Sequence, residues 1–98
     1  MSQNSLVAGT GTTSTLISDS LVMLNSFTVS GLATGIAIHD VATVAGITVA
    51  NKVYEITGNF ELNPFQDAFE GLMFHKGLVV VCTCTDNAHT FNLNVEWE

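Results

Sequence analysis

Thr90-Phe91-Asn92-Leu93-Asn94-Val95-Glu96-Trp97 alternates polar and apolar residues without an error. Phe91, Leu93, Val95 and Trp97 fall on one side, and Thr90, Asn92, Asn94 and Glu96 on the other. Successive side chains of a strand point to opposite faces of its sheet, so this segment reads as a strand with one face in a core and one in water. The period returns over residues 53–63, where Tyr54, Ile56, Phe60 and Leu62 share a face and Glu55, Thr57, Asn59 and Glu61 share the other. Gly58 inside that run predicts a bend, bulge or break. Asn63-Pro64 ends it, because proline has no N–H for a ladder. No segment carries a competing helical period.

Working outward, Gly77 opens an apolar strand over residues 78–85, Asp86-Asn87-Ala88 reads as a polar turn, and the last two strands are expected to pair as a hairpin. Residues 64–77 mix Phe65, Phe69, Leu72, Met73 and Phe74 with Gln66, Asp67, Glu70, His75 and Lys76, and are read as containing a helical turn. Residues 35–40 give a short strand with Ile36 and Ile38 in phase. Residues 41–51 join alanines to β-branched residues around Gly46, which predicts a loop with a strand-like portion. Over residues 16–29, Leu21, Met23, Phe27 and Val29 share one phase and Val22 and Leu24 the other. Apolar groups on both faces suit a central or inter-subunit strand. Residues 1–14 hold few large apolar groups and read as an extended or flexible N-terminal arm, within which Leu6 and Val7 suit a short edge strand. Residues 15–98 then form a single domain, an antiparallel β-sandwich of jelly-roll or Ig-like type with about six to eight short strands.

The chain has 98 residues, enough for one core. Hydrophobic residues make up 47%, which excludes a disordered chain. Charged residues make up 11%, against a usual share of about 25%. Either neutral polar side chains cover the surface, or other subunits do. There are nine acids, two lysines (Lys52 and Lys76) and no arginine, for a net charge of −7. Such a chain lacks the cations that neutralise nucleic-acid phosphates or an anionic membrane surface, so neither partner is expected. The first residues show no basic patch followed by an apolar run, and the apolar-leaning stretch at 41–50 is too short and mixed to cross a bilayer. The expectation is folding in a cytosol, where two cysteines do not form a disulfide framework.

Several constellations have a chemical reading and a plainer one. Cys82 and Cys84 share a strand face, with His89 five residues later, and thiolates and imidazoles are zinc ligands. Cysteine is also among the most buried residue types, and one residue between ligands on a flat strand is not the usual zinc spacing, so core cysteines and no metal are expected. His39-Asp40 has the composition of a general base and its orienter, yet no nucleophile elbow accompanies it. Glu55, Glu61, Asp67 and Glu70 lack the spacing of a calcium loop. Gly9-Thr10-Gly11 has no strand-to-helix context for a phosphate cradle. The aromatic residues Phe60, Phe65, Phe69, Phe74, Phe91 and Trp97 are more simply core than a sugar-stacking platform. No catalytic residue, metal ligand or cofactor is therefore assigned, and no enzymatic activity is expected.

Pro64-Phe65, then Phe69-Glu70-Gly71-Leu72-Met73-Phe74-His75-Lys76-Gly77-Leu78-Val79-Val80, and the closing Asn94-Val95-Glu96-Trp97, resemble small virion proteins of tailed bacteriophages. Those proteins often pair a glycine-hydrophobic-x-Phe-x-x-Gly-Leu element with a strand and finish on an alternating strand. Ile36-Ala37-Ile38-His39-Asp40 followed by Lys52-Val53-Tyr54-Glu55-Ile56 is similar to their upstream strand pair. The likeness spans about residues 20–98 and departs from the pattern at 41–51. The resemblance implies a non-enzymatic β-sandwich that decorates or cements a capsid in the virion. It would act as a homo-oligomer, a trimer by preference, bound to the major capsid protein or another virion protein. The alternative it leaves open is a receptor- or carbohydrate-binding module of a head or tail fibre.

Overall fold

A computed structural model describes residues 3–9, 11–31, 33–58, 60, 65–84 and 91–98. Eight strands run through it: β1 (Gln3–Gly9), β2 (Thr13–Ser18), β3 (Val22–Gly31), β4 (Ala33–His39), β5 (Lys52–Thr57), β6 (Phe65–Phe74), β7 (Leu78–Cys84) and β8 (Phe91–Trp97). They form two four-stranded antiparallel sheets, ordered β1-β8-β3-β6 and β2-β7-β4-β5. The ladders nest: β1 pairs with β8, β2 with β7, β3 with β6 and β4 with β5. This is an antiparallel ribbon rolled on itself, the eight-stranded jelly-roll form of the sandwich rather than the Ig form.

The core lies between the sheets. Leu24, Phe27, Val29 and Val95 from one sheet meet Ile36, Ile38, Leu78 and Val80 from the other, all essentially inaccessible to water. At one side Phe27, Tyr54 and Phe69 pack as a ring cluster. Centroids lie 5.7 Å apart for Phe27–Tyr54 and 5.3 Å for Tyr54–Phe69, both edge-on, the geometry favoured by ring quadrupoles. The contact brings β5 and β6, the edge strands of opposite sheets, to the same side of the sandwich, and β1 and β2 meet at the other.

Three local readings are corrected and one is extended. The short edge strand expected at Leu6 and Val7 runs over Gln3–Gly9, paired with β8 along its whole length, and β2 begins at Thr13, so less of 1–14 is an arm than expected. Ser5 and Val7 face inward here, so a few inward side chains suffice when a neighbouring strand supplies the ladder. The helical turn expected in 64–77 is strand β6, whose phase slips where Gly71 takes φ +71°, a conformation that a side-chain-bearing residue rarely adopts. The strand-like portion of 41–51 is instead two 3-10 turns, Val44–Gly46 and Val49–Asn51. The expected hairpin of the last two strands does not form, since β7 lies between β2 and β4 and β8 lies in the opposite sheet between β1 and β3.

The two-faced pattern of β3 also has a local cause. Its register shifts between Leu24 and Ser26, so Val22 and Leu24 before the irregularity and Phe27 and Val29 after it all face the core. The chain end secures this point: Met23 and Glu98 exchange backbone hydrogen bonds at 2.7 and 2.9 Å, and Asn25 Nδ2 donates to Glu98 Oε1 at 3.2 Å. Apolar residues in both phases therefore reflect a bulge, not two buried faces.

Candidate functional site

The two outer faces of the sandwich differ. On the β1-β8-β3-β6 sheet, paired residues form rows across the strands: Leu6, Asn94, Thr28 and Gln66 in one, and Asn4, Glu96, Ser26 and Ala68 in the next. Glu96 is the one charged residue in these two rows, and Asn94 Nδ2 donates to Asn4 Oδ1 at 3.5 Å. These rows supply the largely neutral covering that a low charge content requires.

The outer face of the other sheet mixes apolar and polar side chains and is partly roofed by a loop. Leu78, Val80, Cys82 and Cys84 face the core, so Val79, Val81 and Thr83 face outward, alongside Ala37 and His39 of β4 and Leu16 of β2. Val79 points away from the core yet is fully buried, because the 40–51 loop lies over this part of the sheet. Gly77 permits the close approach: a Cβ there would stand 2.5 Å from the Val41 carbonyl oxygen and 2.7 Å from that of Ser18. Between loop and sheet opens a cleft of about 390 Å³, lined by Ala37, His39, Val81 and Thr83 from below and by Ile47, Thr48, Val49, Lys52 and Glu55 around it. A second recess of about 240 Å³, lined by Asp40, Ala50, Asn51, Val53 and Lys76, shares Lys52 with the first.

Asn51 organises the loop. Its Oδ1 accepts the Thr48 N–H at 3.1 Å and sits 2.9 Å from His39 Nδ1, while its Nδ2 donates to the Gly46 carbonyl at 2.9 Å. An amide oxygen only accepts, so His39 Nδ1 is the donor in this contact. Thr43 Oγ1 accepts the Gly46 N–H at 3.1 Å and caps the first 3-10 turn. The threonine three residues before a side-chain acceptor, Thr48-x-x-Asn51, is a local signal of the capping-box kind that sequence reasoning passed over.

His39 and Asp40 do not act together as a base and its orienter. The Asp40 carboxylate turns to the β6–β7 connection, where Oδ1 accepts from Lys76 N at 2.8 Å and Gly77 N at 3.3 Å, and Oδ2 from His75 N at 3.2 Å. Burial works to raise the Asp40 pKa, but the three backbone donors and the nearby His75 imidazole outweigh it and hold the carboxyl below its ordinary value. Lys52 Nζ, in the cleft wall, is paired with Glu55 Oε1 at 3.0 Å.

Cys82 and Cys84 both lie in the core, neither in a disulfide, and burial, with Cys84 adding a smaller effect, pushes the Cys82 thiol up to about 12. His89 lies outside the described residues, as does Glu61. Among the described residues no three His, Cys, Asp or Glu side chains converge as a metal site. Gly11, with φ +66°, makes the turn from β1 to β2. Phe60 and Phe74 are buried, Phe69 and Trp97 pack half-buried against the core, and none of the exposed large apolar side chains among the described residues is aromatic.

Compared with known proteins, the chain matches no family model and no curated protein.

Proposed function

We propose that this chain is a non-enzymatic structural protein of a tailed-bacteriophage particle, a self-associating decoration or cement domain that binds an assembled protein shell. The observation that carries this reading is the exposure of Leu16, Val44, Val49 and Val53 around the loop-covered face of the β2-β7-β4-β5 sheet. These are four of the seven exposed large apolar side chains among the described residues, and an exposed apolar patch marks a protein-binding surface. The jelly-roll strand order adds fold-level support only, since that architecture serves capsid domains and lectins alike. The lectin-like reading would need an exposed aromatic platform, and the described aromatic side chains lie in or against the core instead.

Co-sedimentation with undecorated capsids of a tailed phage tests the proposal. Bound protein should raise the shell's resistance to heat. Binding should persist at moderate salt, because aliphatic contacts are not screened as charge pairs are. Failure to co-sediment, with retention on a glycan array, would favour the receptor-binding alternative.

A further inference from the structure

The two sides of the sandwich are protected unequally. One side ends in β1 and β2, the other in β5 and β6. The chain has no charged residue before Asp19, so neither β1 nor β2 bears one, whereas β5 carries Lys52 and Glu55 and β6 carries Asp67 and Glu70. An edge strand exposes unpaired N–H and C=O groups, and proteins blunt such edges with charges, proline, bulges or short length. β5 and β6 have charges, β6 has its irregularity at Gly71, and β2 has a register shift between Leu16 and Ser18. β1 has none of these devices. Its seven residues contain no charge and no proline, and they hold one unbroken register against β8 from Gln3 opposite Trp97 to Gly9 opposite Phe91.

We infer that β1 is the contact through which two copies of this chain join, antiparallel and edge to edge, about a two-fold axis passing Leu6. The strand Gln3–Gly9 is centred on Leu6, so two-fold pairing sets Leu6 against the second copy's Leu6, Ser5 against Val7 and Asn4 against Ala8. Leu6 stands 73% exposed at the middle of the edge, and this pairing covers it with its own counterpart. Each copy carries a net charge of −7, and this edge lets two copies approach with no carboxylate on either joining strand. A two-fold contact uses one self-complementary patch twice, which this strand provides. The two four-stranded sheets then continue as one sheet of eight. The contact does not depend on the capsid reading, and it differs in mass from the trimer that the phage resemblance implies.

Analytical ultracentrifugation of the whole chain gives the first test, and a concentration-dependent dimer is expected. Leu6→Lys sets like charges face to face at the axis and should weaken association by roughly tenfold or more. Thr57→Lys, on the opposite edge, should leave it unchanged. Directly opposed residues of antiparallel strands have Cα atoms about 4.5–5.5 Å apart, within the disulfide range of about 4.4–6.8 Å. Leu6→Cys should therefore give a covalent dimer on mild oxidation, while Gln66→Cys on β6 should not. Should Leu6→Lys fail to fold, the cysteine variants decide the matter alone. A monomer at high concentration, a trimer, a dimer indifferent to Leu6→Lys, or equal cross-linking through Gln66→Cys would each overturn the contact. A dimer that ignores capsids would retain it and remove the virion reading.

Discussion

The carboxylate of Asp40 accepts the backbone N–H of Lys76 at 2.8 Å, joining the end of β4 to the turn between β6 and β7. The same carboxylate takes the N–H groups of His75 and Gly77, so one side chain satisfies three donors of a connection that has no ladder of its own there. The β4–β5 loop departs from this point, and its position over the sheet depends on where Asp40 is held.

Asp40→Ala should therefore destabilise the protein by about 2–3 kcal/mol, and Asp40→Asn, which keeps one acceptor oxygen, by about 1–2 kcal/mol, as read by urea unfolding at neutral pH. The folded-state pKa lies below the ordinary 3.8, so the carboxylate's contribution is complete above that value and is lost as the pH falls through the folded one. Wild type should lose stability more steeply than Asp40→Asn in acid below pH 3.8. Parallel acid-unfolding curves would show that the three N–H bonds do not favour the ionised form.

Asn51→Ala removes the acceptor shared by His39 and Thr48 and the donor to Gly46. The expected result is loss of hydrogen-exchange protection confined to residues 40–51, with a global cost of about 1–3 kcal/mol. Val79, which that loop covers, should become accessible without the core opening. Unchanged exchange in the loop would show that apolar contacts, rather than Asn51, hold it to the sheet.

How much of this was legible depended on whether a signal was local. The alternation of 90–97 and of 53–63 is a period-two pattern over consecutive residues, and it located β8 and β5 directly. At β3 the same pattern misled, because a bulge beside Asn25 swaps the faces mid-strand and periodicity presumes an unbroken pleat. The hairpin expected from β7 and β8 failed for another reason: sequence neighbours usually pair, whereas a rolled ribbon sends each strand to a partner far along the chain. At β1 only Leu6 and Val7 signal an edge strand, because much of what holds the rest is supplied by β8. Asp40 gave no sequence sign of its role, since the backbone donors it serves lie 35 to 37 positions away.

Cys82 should resist alkylation in the folded protein at mildly alkaline pH and react only as fast as the chain unfolds. Its thiol stays protonated up to about 12 when folded, against 9.0 for an ordinary thiol. Unfolding above pH 9.0 releases that proton, so stability should decline as the pH rises between these two values. Cys82→Ser should cost about 1–3 kcal/mol, because a hydroxyl replaces a thiol among apolar neighbours. Rapid stoichiometric labelling of Cys82 under native conditions would place the thiol outside the core, and zinc retained through purification would reopen the metal reading.

Trp97 ties the last strand to the first. Its indole Nε1–H donates to Ser5 Oγ at 3.0 Å, across the β1–β8 ladder, and its ring packs half-buried against the core. Trp97→Phe keeps much of the ring contact but loses the donor, for about 1 kcal/mol, and Trp97→Ala should cost about 3 kcal/mol. Ser5→Ala removes the acceptor alone. Each single change already breaks the hydrogen bond, so the double variant Ser5→Ala with Trp97→Phe should cost less than the sum of the two. Because β1 is the edge proposed to join two copies, loosening it from β8 should also weaken self-association, measured by ultracentrifugation. Additive stability effects would show that the hydrogen bond does not couple the strands. A tryptophan emission maximum at the position of a fully water-exposed indole would show that the inward face of β8 is not packed at its end.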